Sequence, residues 1–168
     1  MIRGVKIDMI RKMDEKDWER VKAIYTQGIL RGNATFNTVC PTYEIWDKEY
    51  RKDCRFVAEL DGNVVGYIAI KPVSPKEEIY HGVAEVSIYI DENYQGRGVG
   101  TALMRACIEE SEKRGYWCLY SSICSINEAS LALHKKCGFR EIGIRERIAR
   151  DRFGNWQDTT LMERRRKD

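Results

Sequence analysis

A chain of 168 residues, 43% hydrophobic and 33% charged, has the length and apolar content to bury a sizeable core, and is expected to form a single domain over 1–168. Its formal net charge of +3 argues against a dedicated nucleic-acid binder, which carries a strong basic excess, and its "RRRKD" tail reads as a solvated terminus. No stretch approaches the ~20 apolar residues of a membrane span, and the opening "MIRGVKIDMIRKMDE" is too interrupted by charge for a signal peptide.

Residues 4–12 read as a strand. Asp14 is placed to cap a helix over 15–30, whose apolar stripe is Trp18, Val21, Ile24, Tyr25 and Ile29. The turn-rich stretch 31–42 reads as a loop, and Thr42 caps a short helix through about residue 51. "RFVAELDGNVVGYIAI" is a hairpin around its "DGN" turn. A loop over 71–82 leads to a strand at 83–90, a helix at 99–114, a strand at 117–123 and a helix at 128–137 stopped by Gly138. Two strands around "FGN" complete the chain. The order places it in the mixed α/β (α+β) class, with helices packed on a largely antiparallel sheet. The six cysteines form no C-x-x-C and no zinc spacing, so free buried thiols in a reducing cytoplasm are expected and no metal site.

The stretch "NYQGRGVGTALM" sets Gly96, Gly98 and Gly100 at the mouth of a helix. Helix N-termini expose unpaired N–H groups and the positive dipole end, and glycines let the backbone before them converge on an anion. Arg97 adds charge at the rim. There is no lysine for a phosphate-transferring nucleotide loop, and Thr101 stands where a dinucleotide fingerprint requires glycine. A tight strand-to-helix turn and nothing more is the alternative.

On the strand before it, Ala84, Val86, Ile88 and Ile90 form a core face, while Val83, Glu85, Ser87 and Tyr89 point the other way. The second set is either a solvated face or a carboxylate set into an interior strand. In the later helix Asn127, Ser130, Leu131 and His134 share one face. Ala129, Leu133 and Cys137 lie on another stripe and are expected to pack inward. Asn127 is a natural N-cap, and a lone helical His is commonly structural.

The pattern Q-x-x-G-x-G, matched by Gln95, Gly98 and Gly100 between a strand and an amphipathic helix, resembles the acetyl-CoA loop of the GNAT N-acetyltransferases. "VAEVSIYIDENYQGRGVG", "INEASLALHKKCGF" and "RFGNWQDTTLM" together resemble the phosphinothricin and methionine-sulfone acetyltransferase branch. With "IYTQGI" and "ATFNT" near the start, the likeness extends over nearly the whole chain. It implies a GNAT-like sheet flanked by helices and acetyl-CoA as co-substrate. The pyrophosphate would lie on Gln95, Gly96, Arg97, Gly98, Val99, Gly100 and Thr101. The pantetheine would pair with Val86, Ser87 and Ile88 and touch Asn127 and Ser130. Glu85 matches the carboxylate proposed as general base, and His134 stands where many relatives place a Tyr that protonates the leaving thiolate.

Such a base answers a chemical need. An amine of pKa ~10 is mostly protonated at neutral pH and cannot attack a thioester until the proton is removed. Phe36, Thr38 and Tyr80 resemble the branch's substrate side, where the usual arginines give way to "SPKEEIYHG" with Lys76 and two glutamates. The implied activity is acetyl transfer by direct attack of a small-molecule amine, an amino acid or analogue, in a homodimer with no nucleic-acid or membrane partner. The alternatives are a protein or peptide N-acetyltransferase and a non-catalytic acyl-CoA sensor.

Overall fold

The computed structural model describes residues 9–168, so of the strand expected over 4–12 it shows β1 (Met9–Lys12), and 4–8 lie outside the described residues. Asp14 opens the next element through a reciprocal cap: its carboxylate accepts from Lys16 N at 3.0 Å, and Asp17 accepts from Asp14 N at 2.8 Å. One 3-10 turn (Glu15–Asp17) therefore precedes α1 (Trp18–Arg31), which ends on Gly32 in the left-handed region at φ +77°. Thr42 caps α2 (Tyr43–Glu49), which stops short of residue 51. The hairpin is β2 (Arg55–Leu60) and β3 (Asn63–Pro72).

The expected loop over 71–82 contains one helical turn, α3 (Glu77–Tyr80). Then come β4 (Val83–Ile90), α4 (Val99–Lys113), β5 (Cys118–Cys124), α5 (Glu128–Lys136), β6 (Arg140–Arg150) and β7 (Trp156–Arg165).

Among the described residues seven strands form one sheet in the order β1-β2-β3-β4-β5-β7-β6, antiparallel except between β4 and β5. Helix α4 covers one face: Leu103, Met104 and Cys107 pack with Ile68, Ile70, Ala84 and Val86. The other face is not solvated. Val21 and Ile24 of α1 and Trp46 of α2 cover it, packing on Val57, Tyr67 and Ala69. Tyr89 stacks on Tyr67 at 5.5 Å between ring centroids and meets Tyr25 edge-on at 5.0 Å. Both faces of β4 are thus beneath helices, and its polar positions lie against an aromatic layer.

Helix α5 packs through Leu133 and Cys137 as its apolar stripe suggested, but not through Ala129. His134 is 2% exposed and Leu131 packs on the core, as Cys137 does, but Ala129 is exposed. Leu133 faces α4, where a Cβ on Gly100 would lie 3.0 Å from Leu133 Cδ2. The rotation is set by what the helix can reach: the His134 imidazole finds a hydroxyl on β5, and the glycine lets α4 come close to Leu133.

Candidate active site

The parallel ladder between β4 and β5 is short. It pairs 83–85 with 118–120 and stops at Glu85 and Tyr120. Beyond that point β4 continues with β3 as far as Ile90, and β5 continues with β7 as far as Cys124. The two strands part, and the N-termini of α4 and α5 border the mouth of the gap. A cleft of about 620 Å³ lies beside that mouth, against the last residues of β4, lined among others by Ile88, Gln95, Gly98, Thr101, Asn127 and Ser130.

Gly96 and Gly98 have φ +73° and +82°, and nothing lies within 4 Å of where their Cβ atoms would stand. Left-handed backbone here suits glycine, and the space beside it is cleft. Gly98 is the N-cap of α4 and supplies no side-chain cap, so the N–H groups of Val99, Gly100 and Thr101 face the cleft without intrahelical partners. Gly100 has a different task, the close packing against Leu133.

Asp91 fixes the start of this loop. It is 4% exposed, pairs with Arg20 at 2.9 Å, and accepts from Asn93 N at 2.9 Å and Gln27 Nε2 at 3.3 Å. Burial works against its charge, but these donors more than offset it and hold its pKa below the usual carboxylate range. Gln27 also accepts from Glu92 N at 3.0 Å, so α1 grips both residues that lead into the glycines.

Asn127 caps α5 by accepting from Ser130 N at 3.2 Å, and its amide donates to Asn33 O at 3.3 Å, tying the helix to the chain after α1. Arg31 and Asn33 form the opposite wall. Arg31 Nε is buried there without a hydrogen-bond partner among the described residues. The residue lines the cleft through its other atoms and brings a positive charge to that wall. Two helix N-termini, open glycine backbone and the Arg31 charge make a site that fits a phosphorylated ligand.

Of the residues expected to hold such a ligand, Ile88, Gln95, Gly96, Gly98, Val99, Gly100, Thr101, Asn127 and Ser130 line the cleft. Arg97 does not; it is exposed and its guanidinium lies 5.2 Å from the centre of the Tyr94 ring. The Val86 side chain is in the core, and Ser87 is turned to the aromatic face, where its hydroxyl meets Tyr50 Oη at 2.9 Å. Glu85 is half-buried on that same face, beside Lys71 of β3 and Tyr120 of β5 in register.

Phe36 is half-buried and Thr38 exposed, both outside the cleft. Their segment is held over the same aromatic face, since Asn37 donates to Tyr25 Oη at 2.6 Å and Tyr89 donates to Ala34 O at 3.3 Å. Tyr80, on α3, is 47% exposed and also outside the cleft.

His134, expected as a general acid or neighbour of the thiol, does not line the cleft. Its Nδ1–H donates to Ser130 O at 2.7 Å, which leaves Nε2 to accept from Ser121 Oγ at 2.9 Å. Burial pushes its pKa below the ordinary histidine value. In that tautomer Nε2 carries no proton for a thiolate.

Asp91, Arg31, Asn33, Tyr50 and Lys71 were not singled out from the sequence. Asp91 had a local signal, an acidic residue two before Asn93 at a strand end, where Asx turns form. Tyr50 and Lys71 had none, because their partners lie on other elements.

The family model "Acetyltransferase (GNAT) family" matches residues 9–139. A phosphinothricin N-acetyltransferase of Alcaligenes faecalis is 33% identical over 92% of this chain and 81% of its own length. An L-methionine sulfoximine/L-methionine sulfone acetyltransferase of Pseudomonas paraeruginosa is 29% identical over 92% of each chain. A solved phosphinothricin acetyltransferase of Sinorhizobium meliloti, in complex with acetyl-CoA, superposes with a TM-score of 0.85 at 25% identity over 94% of this chain and 87% of its own.

Proposed function

Since the chain belongs to the acetyltransferase (GNAT) family, we propose that it is a single acetyl-CoA-dependent N-acetyltransferase domain acting on the amine of a small molecule, an amino acid or analogue of the phosphinothricin and methionine-sulfone type. The observation that carries the reading is the parting of β4 from β5 above a glycine-built helix mouth, with Glu85 at the point where the ladder ends.

Bound acetyl-CoA supplies a thioester, an acyl group open to attack by a neutral amine. The residues of this chain do the rest. The N–H groups at the start of α4, with Arg31, bind the pyrophosphate. Beyond Glu85 the edge of β4 that faces β5 is unladdered, and the backbone of Val86, Ser87 and Ile88 offers its polar groups to an extended arm. From Ile90 to Glu85 the strand spans about 17 Å, so one ligand can lie along it with its anionic end on the glycines and its acyl end near the carboxylate. Glu85 takes the amine proton, directly or through a water.

A homodimer is part of the proposal. β6 is an edge strand, and Ile142, Ile144 and Ile148 along it are 44, 54 and 48% exposed, with Trp156 of β7 at 47%. Apolar side chains on an open strand edge favour pairing with another surface. A reducing, cytoplasmic setting accords with the unpaired Cys54 and Cys107, whose buried sulfurs stand 3.6 Å apart.

The test is thiol release from acetyl-CoA over amino acids, their sulfone and phosphinic analogues, polyamines and peptides. Release with amino acids or their analogues supports the reading. Release with peptides alone reassigns the acceptor, and tight acetyl-CoA binding without release for any amine sinks the enzyme.

A further inference from the structure

We propose that Lys71 selects the acceptor by holding the carboxylate of an α-amino acid whose amine lies against Glu85. The inference rests on the acetyl-transfer reading above. Lys71 and Glu85 are directly paired across β3 and β4, so their side chains share one face with Cβ atoms about 4.5–5.5 Å apart. An α-amino acid carries its ammonium and its carboxylate on a single carbon. A carboxylate and an ammonium side by side on adjacent strands present the complementary charges at matching spacing, and an amine without a carboxylate would engage only half of the pair.

Lys71 already holds a carboxylate. Its Nζ stands 3.0 Å from Glu49 Oε1, at the end of α2. The two side chains are 26% and 46% exposed, so this is an ion pair that water reaches and a substrate can replace. Burial works against the Lys71 charge, yet Tyr50, Glu49 and Glu85 more than offset that and hold its pKa above the ordinary lysine value. Lys71 is therefore charged whenever a substrate arrives.

The neighbouring residue defines the rest of the pocket. The Tyr50 ring lies 5.7 Å from Lys71 Nζ, it stacks on Trp46 at 4.9 Å, and its hydroxyl meets Ser87 Oγ at 2.9 Å. Glu49 and Tyr50 thus reach Lys71 and Ser87, the neighbours of Glu85 on that face. Displacement of Glu49 from Lys71 opens that face from its solvent side without disturbing the half-buried Tyr50–Ser87 contact.

The experiment compares L-methionine sulfone with its primary amide in the thiol-release assay, on the parent chain, Lys71→Met and Lys71→Arg. Lys71→Met keeps most of the side-chain stem and removes the charge. It is expected to raise KM for the amino acid about tenfold to a hundredfold, the worth of one charge-assisted hydrogen bond, and to leave the amide within about threefold. Lys71→Arg recovers most of the loss, and affinity for acetyl-CoA is unchanged in both variants. Equal losses for acid and amide, no loss for the acid, or a parent that prefers the amide overturns the role of Lys71 and leaves acetyl transfer standing. A parent that releases thiol with neither compound overturns the proposed acceptor class, and the role of Lys71 with it.

Discussion

Gly98→Val separates the two readings of the glycine loop, a turn and a phosphate site. Gly98 has φ +82° and ψ 3°, and nothing lies within 4 Å of where its Cβ would stand. The backbone cost for an L-residue there is ~1–2 kcal/mol, and the added Cβ meets no neighbouring atom. Against a total stability of ~5–15 kcal/mol the variant remains folded. The added side chain, however, stands over the N–H groups at the start of α4. The loss of one hydrogen bond to a charged phosphate costs ~1.5–3 kcal/mol, a weakening of acetyl-CoA binding of roughly 10- to 150-fold.

Gly115→Val is the matched control. Gly115 follows α4 at its far end, has φ +89°, and likewise has open space where its Cβ would stand. The two variants are expected to melt at similar temperatures and to differ in the acetyl-CoA dissociation constant measured by calorimetry. Equal affinity in the two folded variants would refute the assignment of the loop as the phosphate site.

Glu85→Gln is expected to keep acetyl-CoA affinity and lose roughly 10²-fold in turnover near neutral pH, with the loss shrinking as pH rises toward the amine's own pKa. A rate within a few-fold of the parent at pH 7 removes Glu85 as the base. For His134, whose folded pKa is depressed by burial, the unfolded chain takes up a proton first as pH falls. Its contribution to stability is full above the ordinary histidine pKa of ~6.5 and is lost as pH drops from there toward the folded value. Urea midpoints should show that slope in the parent and a flatter one in His134→Gln, with turnover of the folded variant retained; a collapse of turnover at unchanged cofactor affinity would restore His134 to the chemistry. Light scattering at micromolar concentration should give a dimeric mass for the parent and a monomeric one for Ile144→Glu, and a monomeric parent excludes the dimer.

What the sequence determined by itself is local. The "DGN" turn between alternating strands, the Asp14 and Thr42 caps, the Gly138 stop (φ +90°) and the glycine-led start of α4 all appear where the residues place them. Each depends on groups within a few positions of one another, and so does the left-handed backbone that makes Gly96 and Gly98 open to a ligand.

The tertiary structure decided the rest, because the deciding partners are distant in the chain. Alternation along 83–90 separated two faces, but only the packing of Tyr25, Trp46 and Tyr67 made the second one an interior. Helical spacing grouped His134 with Ser130, but Ser130 lines the cleft while the imidazole meets a hydroxyl on Ser121 away from it. The pairing of Lys71 with Glu85 follows from the register of β3 against β4, and the gap between β4 and β5 from β5 continuing with β7 while β4 stays with β3. Strand register is a property of two segments and the layers that clamp them, and one strand's own residues carry only its alternation.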